Sequence, residues 1–174
     1  LSALAFAAWV LLPDSLWSSG LLLAAGVANF VRLARWKGWQ SAPEQLVLVL
    51  HVAYVFIPLG QLALGLGIIS PDLVPANGAV HLLTAGAIGM MTLAMMTRVS
   101  LGHTGGVLHA DHWIKAIYWS AFGAVVLRFG YGYTFATSLL HSSATLWILA
   151  FLLYLWRYRY MALRMNDHAF PVPG

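Results

Sequence analysis

From Ala79 to Met96 the chain reads Ala-Val-His81-Leu-Leu-Thr84-Ala-Gly-Ala-Ile-Gly-Met-Met-Thr92-Leu-Ala-Met-Met, and His81 is its only ionisable side chain. A hydrocarbon core about 30 Å thick takes about 20 apolar residues of helix, so this run predicts a membrane span. Four more candidates flank it: Ser15 to Leu33, Leu46 to Ile69, Trp113 to Val126 extended toward Phe129, and Thr134 to Leu155. Leu1 to Leu12 is too short to cross and reads as the end of a truncated span. The expected fold is therefore all-α, a polytopic transmembrane bundle of about six helices with the first one truncated. Pro13, Pro43, Ser70-Pro71-Asp72, Gly105-Gly106 and Gly130-Tyr131-Gly132 supply the breaks.

Composition agrees with a membrane solvent. Of 174 residues, 61% are hydrophobic and 8% charged, against about 25% charged in a soluble domain. The absence of Cys rules out a disulfide framework and leaves His, Met, Asp and Glu as metal ligands. A net charge of +4 without a basic patch or interleaved aromatics gives no ground for nucleic acid as a partner. The lipid bilayer is the expected surrounding. Lys and Arg orient the chain, because loops rich in them stay in the cytoplasm. Arg32, Arg35, Lys37, Arg98, Lys115, Arg157, Arg159 and Arg164 fall on one side, and only Arg128 on the other. The C-terminus, with a short tail over residues 162–174, is thus expected to be cytoplasmic. Leu1 stands inside an apolar run with no Met before it, which suggests the later part of a longer protein.

Polar residues inside the spans are the functional signal, since an ionisable side chain at membrane depth usually faces protein. His51, Tyr54, Pro58, Gln61 and Gly65 share one helical face; so do His81, Thr84, Thr92 and Met95, and again Thr134, Ser138, His141 and Thr145. The three stripes are expected to converge. Three roles remain open for their histidines: hydrogen-bonded glue between helices, ligands of haem or copper, or a proton relay. By depth, His81 pairs best with His141, while His51 lies nearer the cytoplasmic side. His109-Ala-Asp111-His112 reads as a solvated helix start with Asp111 near the N-terminal dipole. Met90, Met91, Met95 and Met96 read as gap fillers more than as a soft metal site.

The run from His81 through Arg98 to Val-Ser-Leu-Gly-His103-Thr-Gly resembles the signature of the NnrS family of bacterial membrane proteins. Leu50-His51-Val-Ala-Tyr54-Val-Phe-Ile-Pro58-Leu-Gly60 is similar to the family's preceding helix, so the resemblance covers most of the chain after about residue 43. It implies a haem- and copper-containing protein of the bacterial inner membrane, about twice this length, that responds to nitric oxide and protects against nitrosative stress. Nitric oxide or a metal-nitrosyl species would be its ligand. The resemblance carries over His81, Arg98 and His103, with His51 next; His141 rests more on its stripe. Haem would then draw on His81, His141, His51 and Arg98, the last on a propionate, and metal on His81, His103 and His51. The family's Trp-His-x-His-Glu-Met motif has no counterpart here, so the chain looks like a C-terminal half whose partner is the missing N-terminal half. A rival from another class is half of a small-molecule or ion transporter with a His-lined polar pathway, which Pro58 favours.

Overall fold

Ser15 caps the first long helix by accepting a hydrogen bond from the Trp17 N–H at 3.3 Å, and similar local devices delimit the other helices. The computed structural model describes residues 1–103 and 109–167, and the described residues form helices and turns only. Beside a short 3-10 helix at Gly38–Ser41, the described residues form six longer helices: α1 (Ser2–Leu11), α2 (Leu16–Arg35), α3 (Gln45–Ile69), α4 (Ala76–His103), α5 (His112–Thr134) and α6 (Thr137–Asp167). The Ser18 hydroxyl lies 2.9 and 2.7 Å from the Ala8 and Leu12 carbonyl oxygens, which ties the first turn of α2 to the end of α1. Asp111 caps α5 by accepting from the Ile114 N–H at 2.9 Å. Phe135, at φ 51°, ends α5 in the left-handed region. The last helix runs on to Asp167, into the stretch expected as tail; residues 168–174 lie outside the described residues.

Four of the described helices are long and apolar enough to cross a membrane: α2, α3, α4 and Thr137–Arg159 of α6. Five full crossings were expected. His112–Thr134 has the length, 23 residues, but its sequence includes Lys115, Arg128 and five tyrosine or tryptophan rings. It is built to pack against protein. Ile114, Ile117, Ala121 and Val125 are fully buried along one side of it.

Each helix packs chiefly on its neighbours in sequence, because the connections are short and the chain alternates direction. At one end Leu46, Leu101, Ala110, Ile114 and Tyr158 form a small cluster, which brings together the start of α3, the end of α4, the start of α5 and the end of α6. Arg157 closes that end by donating from Nε and Nη2 to Asp111 Oδ2 at 3.1 and 2.9 Å. At the other end Gly132 lies against Gly78 and Pro75. The row curls enough for α3 and α5 to meet, with Phe56 and Phe122 rings 5.9 Å apart. It leaves α6 as an edge: 11% of its membrane-length window is buried, against 33% to 44% in α2, α3 and α4.

Candidate functional site

Pro75 precedes α4, and one turn in, His81 Nδ1 donates to the Asn77 carbonyl at 2.7 Å. That bond places the proton on Nδ1 and leaves the Nε2 lone pair free. A histidine that ligates a metal is commonly fixed by such a bond to a backbone carbonyl. Immediately after His81 the helix widens, and Leu82–Gly89 is wound as π-helix, a departure that is frequent at functional sites. Two glycines let neighbours press into this segment. A Cβ on Gly86 would stand 2.6 Å from Phe56 Cγ, and one on Gly89 would stand 2.3 Å from Trp147 Cη2.

Beside the widened turn lies a cavity of about 200 Å³, lined by His81 and Ala85 of α4, Ala124 and Arg128 of α5, and Leu140, Ser143, Ala144 and Trp147 of α6. Ser143 is buried and donates to the Ala124 carbonyl at 2.8 Å, which ties α5 to α6 at the cavity wall. Arg128 is half-buried, with its guanidinium 5.3 Å from the Tyr131 ring centroid. An imidazole with a free Nε2 and a guanidinium thus share one pocket. This arrangement suits a metal-bearing or electron-rich ligand with an anionic group.

The other expected residues lie elsewhere. His51 is half-buried near the basic end, its Nδ1 on the Val47 carbonyl at 3.1 Å, edge-on to Trp36, and so close to Gly38 that a Cβ there would meet it at 2.5 Å. The rest of its stripe faces α2: Tyr54 OH donates to Asn29 Oδ1 at 2.8 Å, and Asn29 Nδ2 donates to Gln61 Oε1 at 2.9 Å and Ser2 Oγ at 2.8 Å. From residue counts at about 1.5 Å per residue, His51 and His81 differ by about 20 Å in depth. Two nitrogens on one metal ion stand at most about 4 Å apart. Ser138, His141 and Thr145 are exposed on the edge helix, as are Thr84, Thr92 and Met95 of α4, and His141 does not line the His81 cavity. The expected convergence of the three stripes is therefore corrected: in a row of helices the faces of α3 and α6 are held apart by those between. Arg98 is half-buried and His103 exposed, both toward the basic end and away from His81.

Reading the sequence missed Arg128, Trp147 and Asn29. Arg128 stood out only as the exception to the charge bias, and its place near the end of a mostly apolar segment was the available signal. Asn29 in the apolar run of α2 was a similar signal. Trp147 gave none, since a tryptophan in a span is ordinary apolar bulk.

Apolar helices in an antiparallel row, with Lys and Arg gathered at one end and an imidazole-guanidinium cavity near the other, define a multi-pass helical membrane protein. The family model of the NnrS protein matches residues 1–165. The chain belongs to the NnrS family. The match takes in α1 and α2 as well as the stretch after residue 43. No curated protein and no solved structure matches the chain significantly.

The two metals that the family resemblance implies fare differently against these side chains. Haem needs one or two axial ligands, and His81, with Nδ1 anchored and Nε2 free, fits as one. The cavity is smaller than the about 300 to 1,000 Å³ usual for a cofactor site, so the described residues enclose only part of such a group. Copper needs several grouped donors. Among the described residues no three His, Asp or Glu side chains come together, and the donor set does not fit it.

Proposed function

We propose that the protein serves the bacterial response to nitric oxide as an integral inner-membrane haem protein, in which His81 would hold the iron and Arg128 would offset propionate charge. The observation that carries this reading is the anchored imidazole of His81 in a cavity shared with Arg128. Haem, when bound, supplies an iron that takes nitric oxide directly. The chain's own part is to hold one tautomer of His81 through Asn77, to offset carboxylate charge with Arg128, and to keep the pocket dry with Ala85, Ala124, Ala144 and Trp147. Arg98 then acts as an anchor at the basic end, which we assign to the cytoplasm together with the C-terminus.

The transporter reading is weakened, because Tyr54 and Gln61 of the α3 stripe are engaged with Asn29 of α2 as interhelical glue. Purified protein should show a Soret band. His81→Ala should lose most of it while keeping its helical signal, and His109→Ala, at an exposed helix start, should keep it. Equal haem in wild type and His81→Ala would overturn the assignment of the ligand, and a colourless wild type would overturn the haem reading itself.

A further inference from the structure

Of the four membrane-length helices, α6 is the one least covered by its own chain, and the face it leaves open is of two kinds. Ser138, His141, Ser142 and Thr145 are exposed in its first half, and Ile148, Leu149, Leu152 and Leu155 in its second. In a bilayer the apolar part needs no partner. The polar part does. Counted from Thr137, where the span starts, His141 to Thr145 lie about 6 to 12 Å deep at about 1.5 Å per residue, and polar side chains at such depth normally face protein. Thr145 Oγ1 donates to the His141 carbonyl of its own helix at 2.9 Å. The side chains of Ser138, His141 and Ser142 have no hydrogen-bond partner among the described residues.

The spacing states what shape of partner fits. Ser138, His141, Thr145, Ile148, Leu152 and Leu155 follow one another in alternating steps of three and four, an average of about 3.5 residues, which is the seam of two helices wound left-handed around each other. Ser138 and Ser142, small and four apart, allow a close approach. The partner helix must bring donors and acceptors to the level of His141 and apolar side chains to the level of Ile148 to Leu155. An acyl chain brings only the second. A second copy of α6 brings both, because copies inserted in one orientation pair about a twofold axis along the membrane normal, and each seam residue then meets its own counterpart. A hydroxyl and a neutral imidazole each carry a donor and an acceptor, and no Asp, Glu, Lys or Arg stands between Ser138 and Leu155 to repel its like. A polar residue in such a seam also fixes the register.

We propose that α6 is the contact surface of a homodimer in the membrane, in which two copies pack these helices in parallel and Ser138, His141 and Thr145 hydrogen-bond across the seam. The other side of α6 stays on its own chain, with Ser143 on α5 and Trp147 on α4. The seam uses none of the residues that line the His81 cavity, so this assignment and the haem reading can fail separately.

The test uses the full chain, which has no Cys of its own, in native membranes with one cysteine introduced at a time and copper phenanthroline as oxidant. Ser138→Cys, Thr145→Cys and Leu152→Cys should give disulfide-linked dimers, and Val27→Cys, exposed on α2, should stay monomeric. In liposomes at falling protein-to-lipid ratio, single-molecule photobleaching should follow two copies separating into one. Replacing Ser138→Leu and His141→Leu together should raise the dissociation constant at least tenfold, while His81→Ala should dimerise as wild type does. The replaced side chains are exposed, so each monomer should keep its helical signal in circular dichroism. A monomer at every ratio, cross-linking of Val27→Cys as strong as that of Thr145→Cys, or wild-type dimerisation of the double variant overturns the proposal. So does a Thr145→Cys chain that cross-links only to a different polypeptide, which would give the seam to another partner.

Discussion

A glycine in a membrane helix can be a contact or a vacancy, and this chain has both. Gly86 admits the Phe56 ring, and an added Cβ would stand 2.6 Å from it. Gly86→Val should therefore destabilise the protein by about 1 to 3 kcal/mol, the usual cost of overpacking. Gly20, in the second turn of α2, has nothing within 4 Å of an added Cβ. Gly20→Ala should stabilise by about 0.5 to 1 kcal/mol through backbone entropy alone. Thermal midpoints in one detergent should shift in opposite directions for the two. Asn29 gives a third case, since its amide serves Tyr54, Gln61 and Ser2 together. Asn29→Leu should cost more than Tyr54→Phe, because it also strips Gln61 Oε1 of its donor inside the protein, a loss of about 1 to 3 kcal/mol. A double-mutant cycle should give coupling between Asn29 and Tyr54 of about 0.6 to 2 kcal/mol, and additive losses would show the bond to be idle.

Pairs of helices depend on their ends. The hairpin of α5 and α6 is closed at its open end by Asp111, which caps α5 and receives two bonds from Arg157, while the Trp113 and Trp156 rings meet at a 53° tilt with centroids 4.7 Å apart. Burial by itself raises the Asp111 pKa. The Ile114 N–H, the Arg157 hydrogen bonds and the charges of Arg157 and His112 outweigh it and hold the carboxyl below its ordinary value of 3.8. A carboxylate with a depressed folded pKa adds stability that is present above its unfolded pKa and is lost as pH falls through the folded one. Wild type should therefore exceed Asp111→Asn in stability at neutral pH, and the gap should close below about pH 4. Urea titrations of both proteins at pH 7 and pH 3 check this, and a gap unchanged at pH 3 would assign the effect to the cap and not to charge.

At the scale of the whole molecule, the antiparallel row gathers every described Lys and Arg except Arg128 near one end. With that end in the cytoplasm, the loop at Asp72 between α3 and α4 faces outward and the turn at Gln40 between α2 and α3 faces inward. The chain has no Cys, so single cysteines placed at Asp72 and Gln40 report cleanly. In intact cells a membrane-impermeant maleimide should label the first and spare the second; the reverse pattern would invert the topology.

Helix content, the bounds of α1, α2 and α3 to within two residues, the existence of the other three helices, and the separation of charges were legible in the sequence, because each follows from local apolar length and loop composition. The solvated start at His109 to His112 was legible too, since capping by Asp111 is a short-range bond. What faces what was not. A stripe states that a helix has a polar side, yet the stripe of α3 is met by Asn29 of α2, while that of α6 lies bare on the outer edge of the row. The joining of His81 to Arg128 arises from packing among α4, α5 and α6, while the π-wound turn after His81 packs on Phe56 of α3 and Trp147 of α6. Contacts between residues dozens of positions apart depend on helix order and rotation, which periodicity along one chain leaves free; only the tertiary structure decided them.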